Sequence, residues 1–134
     1  RVCRHFVREQ ASQIFFDSVH VTDELVDEIY DMLNDRRYRR FLLKVAKASR
    51  DRSLLEDLPG VDAPTMLIWG RNDSITPPSV AEEFCTHIPR AELAFIDHCG
   101  HSPPIEQPGE FARLLPAFLS DTTSQRFSAS CKPR

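Results

Sequence analysis

The sequence predicts an α/β fold in which helices precede a short parallel sheet. Residues 65–69 and 93–96 are short, continuous apolar runs, typical of strands that are buried on both faces. Residues 78–87, between them, have helical spacing and begin with a proline, so strand, helix and strand form one βαβ unit with parallel strands. The first 50 residues carry apolar side chains at helical spacing, which predicts a helical segment ahead of this unit.

Three helices are predicted in that first segment. The strongest follows Thr22, a residue type that caps helices, and has acidic residues in its first turn. A second helix extends from about Tyr38 to Ser49, and a weaker helical run lies between Val2 and Phe16. A last helix, from about Gly109, has apolar side chains at helical spacing and is expected to cover the sheet.

Charge and composition divide the chain into three segments, residues 1–52, 53–120 and 121–134. The middle segment carries three basic and ten acidic side chains, which argues against a nucleic-acid surface. The basic cluster at residues 36–40 lies on a predicted helix and most simply forms its solvated face. The last segment is polar and rich in Ser and Thr, the composition of a disordered tail.

Composition also excludes several classes of protein. No apolar run approaches the roughly 18 residues that a bilayer span needs, and no signal segment opens the chain. We therefore expect a cytoplasmic location and no membrane partner. The 4 cysteines lie far apart, unlike those of a disulfide-stapled scaffold or a zinc ribbon.

The predicted sheet is too small to stand alone. Two parallel strands leave two open edges, whereas parallel sheets normally contain several strands. Since the chain also begins with Arg1 instead of Met, we expect it to be the C-terminal part of a larger α/β protein.

Candidate functional side chains follow both predicted strands. Asp73 lies in a tight turn just beyond residues 65–69, and His101 lies at a comparable distance beyond residues 93–96. Because the carboxyl ends of adjacent parallel strands meet at one edge of a sheet, the two side chains should lie close together. A carboxylate beside an imidazole is the orienting half of a catalytic triad. Asp97 is the nearest rival acid, but it precedes His101 by only four residues on the same loop.

The first strand and the turn after it contain PTMLIWGRND at residues 64–73 and ITP at 75–77. The loop after the second strand contains CGHSP at 99–103, followed by EQP at 106–108. Together these two groups of motifs resemble the C-terminal third of the α/β-hydrolase fold family. The resemblance covers roughly residues 55–120, and the order and spacing of both groups of motifs agree with those of the family. Residues 1–50 resemble the end of the helical cap that such enzymes insert before the strand that bears the acid. Carried over by position, Asp73 corresponds to the triad acid and His101 to the triad base.

The resemblance implies a hydrolase that cleaves an ester, amide or C–C bond of a small-molecule substrate by acyl transfer, without a cofactor or metal. The nucleophile elbow G-x-S-x-G is absent, because none of the four glycines supports it. The chain should therefore contribute only acid and base and be inactive alone. Relatives that are dehalogenases or epoxide hydrolases use an Asp nucleophile, so the nucleophile stays open between Ser, Asp and Cys, as do the substrate and the oligomeric state.

A zinc-binding domain is one alternative. Cys85 with His87, and His98 with Cys99 and His101, are residue types that zinc prefers. Their spacing matches none of the usual ligand patterns.

A non-catalytic interaction module, or a truncated remnant of an enzyme, is another alternative. Leu25, Ile29 and Met32 could then form a groove for a partner, with the βαβ unit as its support. Their simpler role is to pack over an active site.

Overall fold

A computed structural model describes residues 2–50 and 54–122 of the chain. Within that part the helices are Arg4–Ser12 (α1), Asp23–Asn34 (α2), Arg36–Arg50 (α3), Pro78–His87 (α4), Pro103–Glu106 (α5) and Pro108–Thr122 (α6). The strands are Thr65–Gly70 (β1) and Ala91–Ile96 (β2). Short 3₁₀ turns occupy residues 18–20, 54–56 and 58–60. No helix in the described ranges has both the length and the apolar character needed to cross a bilayer.

The N-terminal helices build a core of their own. The hydroxyl of Thr22 accepts a hydrogen bond from the Leu25 N–H at 3.2 Å, so α2 begins at its predicted cap. A first apolar core lies between α1, the following turn and α2, with the buried side chains Val7, Ala11, Phe15, Val21 and Val26. The helix predicted up to Phe16 ends earlier, at Ser12, and residues 13–16 continue as an irregular segment.

The candidate partner groove on α2 is not open. Leu25 and Ile29 are half-buried against the first core, while Met32 is exposed. Leu25 and Ile29 therefore hold α2 on α1, which favours the packing interpretation for these two side chains over an interaction module. The arginines at 36, 37, 39 and 40 are exposed, as the solvated-face interpretation predicts.

The predicted βαβ unit is confirmed. β1 and β2 pair in parallel, with Thr65 opposite Ala91 and Gly70 opposite Ile96. α4 joins them and packs on both strands. Together they form a second core, with the buried side chains Ala81, Cys85, Ile88, Ala91 and Leu93.

β1 is less buried than its apolar sequence predicts. Its residues 65–69 are only half-buried, whereas β2 buries Ala91, Leu93, Ala94 and Ile96. Each strand of this two-stranded sheet has one strand partner among the described residues, so strand pairing alone does not account for the difference in burial.

The C-terminal region also differs in detail from the prediction. α5 was not predicted, and α6 begins at Pro108, one residue early. Instead of lying tightly on the sheet, α6 leaves an open cleft to the end of β2, lined by residues 94–96 and by Glu110, Arg113 and Leu114. α6 continues to Thr122, and the rest of the predicted tail lies outside the described residues, as does the predicted segment boundary at 52/53.

Candidate active site

The turn after β1 closes around its own acid. The Asp73 Oδ1 accepts hydrogen bonds from the N–H groups of Ile75 at 2.8 Å and Thr76 at 2.9 Å. The indole N–H of Trp69 donates to the Thr76 carbonyl oxygen at 2.9 Å and ties the turn to the end of the strand. An Asp that bonds backbone two and three residues ahead is a common turn device, so local sequence suffices to place this carboxylate.

The Asp73 carboxyl is held in its ionised form. Its side chain is only 3% exposed, and burial raises its pKa. Hydrogen bonds from the Thr76 N–H, His101, the Thr76 hydroxyl and the Ile75 N–H act in the opposite direction and prevail, so the pKa of Asp73 lies below its ordinary value. At neutral pH this site therefore contains a buried carboxylate.

The loop after β2 brings His101 onto that carboxylate. Its Nδ1 lies 2.8 Å from Asp73 Oδ2, and the Thr76 hydroxyl, which donates to the same oxygen at 2.7 Å, lies 3.1 Å from Nδ1. Facing an ionised acceptor, Nδ1 carries the ring proton, which leaves Nε2 with a free lone pair. The described residues offer Nε2 no hydrogen-bond partner, and the His101 side chain is 42% exposed. This is the geometry that a general base requires.

Two glycines allow the loop to approach this closely. A Cβ at Gly70 would overlap the carbonyl oxygen of Gly100, and a Cβ at Gly100 would lie 2.5 Å from the carbonyl oxygen of Ile14. The His101 N–H donates to that same Ile14 oxygen at 2.7 Å. The base loop is therefore pressed between the end of β1 and the segment 13–16.

A small apolar cavity of about 120 Å³ opens beside the pair. Its walls include Ile68, Trp69 and Pro103, with Asp73 and His101 as the ionisable groups. Pockets that enclose a small molecule usually measure about 300 Å³ or more. The cavity is therefore smaller than a pocket that encloses a whole substrate-sized molecule.

The rival acid lies elsewhere. Asp97 Oδ1 is 2.5 Å from the Nε of Arg71 on the surface, and that guanidinium stacks on the ring of Phe95 at 4.8 Å from its centroid. Asp97 is therefore engaged in a surface ion pair, and the carboxylate at His101 Nδ1 is Asp73.

Cys99 is not suited to nucleophilic attack. Burial, together with the charge and hydrogen bond of Glu106 and the charge of Asp73, raises the pKa of its thiol to about 12. The thiol therefore stays protonated at neutral pH.

The zinc alternative gains no geometric support. Within residues 2–50 and 54–122, no three His, Cys, Asp or Glu side chains are grouped so that they could hold a metal ion.

Three parts of the site were not assigned from the sequence. Thr76 and Glu106 lie inside the sequence motifs, which by themselves assign a role to neither residue. The segment 13–16, on which the base loop docks, has no sequence signal beyond weak helical spacing. A hydroxyl three residues after the candidate acid is a signal that could have identified Thr76. The docking of residues 13–16, in contrast, depends on tertiary structure alone.

Comparison with known proteins identifies the family to which the chain is similar. The family profile described as the alpha/beta hydrolase fold matches residues 7–108. The monoacylglycerol lipase abhd6-B of Xenopus laevis is 31% identical over 124 residues, which are 92% of this chain and 34% of the lipase. A pimeloyl-acyl-carrier-protein methyl ester esterase of Nitrosomonas europaea is 40% identical over 75 residues, 56% of this chain and 29% of the esterase.

Solved structures give the same result. An α/β-hydrolase enzyme from a sediment metagenome of the lagoon of Mar Chica, Morocco, superposes with a TM-score of 0.68 at 41% identity, over 74% of this chain and 45% of that one. A meta-cleavage product hydrolase of Pseudomonas fluorescens superposes with a TM-score of 0.76 at 26% identity, over 90% of this chain and 47% of that one. The chain spans about a third of these curated relatives and under half of these structures. The profile match over most of the chain and the shared fold establish that it belongs to the α/β-hydrolase fold family.

Proposed function

We propose that the complete protein is a hydrolase in which this chain supplies the acid, Asp73, and the base, His101, of a catalytic triad. The observation that carries the proposal is the 2.8 Å contact between Asp73 Oδ2 and His101 Nδ1, beside a cavity and with Nε2 free. A buried carboxylate that holds one ring nitrogen fixes the tautomer in which the other nitrogen can accept a proton.

The proposed reaction is acyl transfer. His101 Nε2 takes the proton of a nucleophile contributed from outside this chain, and that nucleophile attacks the substrate carbonyl carbon. Asp73 stabilises the imidazolium that forms. The imidazolium then gives its proton to the leaving group, an acyl-enzyme remains, and His101 removes a proton from the water that hydrolyses it.

Carboxylic esters are the substrates to test first. Two of the relatives are by name a monoacylglycerol lipase and a methyl ester esterase, and both are at least 30% identical to this chain over the matched residues. The apolar cavity wall of Ile68, Trp69 and Pro103 suits an acyl chain next to the reacting carbonyl. Cleavage of a C–C bond is the second candidate, because the meta-cleavage product hydrolase is similar over 90% of the chain.

The test compares Asp73→Asn and His101→Ala with the unaltered complete protein, on p-nitrophenyl acyl esters of increasing chain length. We expect kcat/KM to fall about 10³-fold or more for each variant, because the base is lost or held in the wrong tautomer. Asp97→Asn and His5→Ala are matched controls, since Asp97 pairs with Arg71 on the surface and His5 is an exposed residue of α1. Full hydrolytic activity in both site variants would refute the proposed function.

A second measurement uses the 134-residue chain itself. Since it has no nucleophile elbow, we expect no turnover of the same esters above the rate in buffer. Turnover that disappears with His101→Ala would mean that a nucleophile lies within this chain.

A further inference from the structure

Glu106, at the end of α5, is a buried carboxylate that belongs to neither half of the Asp73–His101 pair. It is only 8% exposed. Its Oε1 accepts hydrogen bonds from the N–H groups of Gly100 at 2.9 Å and Ser102 at 3.1 Å. Its Oε2 accepts one from the N–H of Phe16 at 2.6 Å. One carboxylate thus binds the backbone on both sides of the candidate base and the backbone of a segment far away in the sequence.

Burying the charged Glu106 carboxylate destabilises the fold unless both of its oxygens accept hydrogen bonds. Moving a charge out of water costs several kcal/mol, about what a set of strong hydrogen bonds can recover. In the part of the chain that the structure describes, Glu106 forms no ion pair, so its charge is compensated mainly by three backbone N–H groups, with the Cys99 thiol as a weak fourth donor 3.9 Å from Oε1. A neutral amide of the same size offers one acceptor oxygen in place of two, and its NH₂ group cannot accept from an N–H. The three donors therefore specify a carboxylate.

Two of the backbone hydrogen bonds of Glu106 lie on either side of His101 in the chain. Gly100 and Ser102 flank His101, and the His101 N–H donates to the carbonyl oxygen of Ile14 at 2.7 Å. Ile14 lies in the segment that Glu106 holds through Phe16. The loop and the surface on which it docks are fixed by the same carboxylate.

The side chain of His101 depends on this backbone support. It is 42% exposed, so packing does little to hold the ring. Apart from the loop itself, what orients the ring is its contact with Asp73 and the nearby Thr76 hydroxyl. A shift of about 1 Å in such a group can lower a rate about 100-fold.

We propose that Glu106 is a positioning residue, which keeps the His101 imidazole aligned with Asp73 by clamping residues 100–102 against residues 14–16. This inference rests on the proposed function, since its effect on the rate requires that His101 is the base. Glu106 itself touches no reacting atom.

The test is Glu106→Gln in the complete protein, assayed well below its melting temperature, with Glu110→Gln as matched control. Glu110 is an exposed residue of α6 that pairs with Arg113, so the same chemical change there leaves the base loop untouched. We expect Glu106→Gln to lower kcat about tenfold or more with KM changed less than about twofold, because alignment for proton transfer is lost and the substrate-binding wall is kept. A kcat equal to that of Glu110→Gln would overturn the proposal.

A double-variant cycle separates positioning from general stability. If Glu106 acts through the Asp73–His101 pair, Glu106→Gln should lower the residual kcat of Asp73→Asn by less than about threefold. If the fold-losses in kcat of the two single variants multiply in the double variant, Glu106 acts independently of the pair and the proposal is overturned. The proposed function fails separately, if Asp73→Asn alone leaves hydrolysis intact.

Amide hydrogen exchange in the unaltered protein keeps the proposal testable if Glu106→Gln does not fold. Since one carboxylate holds all three donors, the N–H groups of Gly100, Ser102 and Phe16 should share one opening free energy. Exchange of the Phe16 N–H about 100-fold faster than that of Gly100, after correction for intrinsic rates, would overturn the clamp.

Discussion

The two loops that form the candidate site are built in opposite ways. The acid turn is held mainly by local bonds: Asp73 accepts from N–H groups two and three residues ahead, and the Trp69 indole donates to the Thr76 carbonyl oxygen. One bond to the base loop adds to these, from the Asn72 N–H to the Cys99 carbonyl oxygen at 2.9 Å. The base loop is held at long range, since Glu106 reaches a donor 90 residues away. The acid turn should therefore survive changes elsewhere in the chain, whereas the base loop should be lost whenever its docking surface is disturbed.

The largest expected effect comes from filling the space at Gly100. In Gly100→Ala the new Cβ would lie 2.5 Å from the Ile14 oxygen and 2.8 Å from the Phe16 nitrogen, backbone atoms that cannot turn aside. We expect the free energy of unfolding, from urea denaturation of the complete protein, to fall by about 2–4 kcal/mol. Gly109→Ala is the control, because a Cβ there meets nothing within 4 Å and should change stability by less than about 1 kcal/mol. Equal stabilities of the two variants would show that the base loop does not depend on close docking.

The second test removes the one hydroxyl that both loops share. Thr76→Val keeps the shape and the backbone N–H but removes the bond from Oγ1 to Asp73 and the contact with the His101 ring. We expect a loss of about 1–2 kcal/mol in stability and a fall of about tenfold in kcat, since a buried acceptor loses a donor beside the base. Thr76→Ser should restore most of both, and a Ser variant as impaired as Val would exclude the hydroxyl as the cause.

The third test uses pH to probe the carboxylate of the acid turn. The pKa of Asp73 is lower in the folded protein than its ordinary value, so the ionised carboxylate stabilises the fold above about pH 4, and this contribution is lost as pH falls through the folded pKa. The difference in unfolding free energy between the parent and Asp73→Asn should therefore shrink as pH is lowered from about 5 to about 2. Urea midpoints at several pH values give this difference, with the surface variant Asp97→Asn measured in parallel. A difference that grows on acidification would contradict the direction of the pKa shift.

The smallest effect is expected at the direct bond between the acid turn and the segment 13–16. Ser74 Oγ donates to the Gln13 carbonyl oxygen at 2.9 Å, at an exposed position. Ser74→Ala should cost about 0.5 kcal/mol or less and leave kcat unchanged, because water replaces an exposed donor. A loss as large as that of Thr76→Val would mean that the acid turn, too, relies on distant support, and the contrast between the loops would no longer hold.

The sequence by itself determined the order of the main elements and the position of the candidate acid. Helical spacing, the Thr22 cap and Pro78 identified every helix except α5, and two apolar runs identified the parallel strands, because these signals act within a few residues of where they stand. Asp73 was placed for the same reason, since its turn is closed by its own near neighbours. The adjacency of His101 followed from strand order, without any contact being known.

Only the tertiary structure decided how His101 is held and how deeply each strand is buried. The docking of Gly100 on Ile14 and the bonds of Glu106 to Phe16 join segments far apart in sequence, and no periodicity records such a contact. The half-buried state of β1 likewise depends on which neighbours the strand has, while its apolar residues only permit burial. Local hydrogen bonds can be predicted from neighbouring residues, whereas contacts between distant segments exist only once the chain has packed.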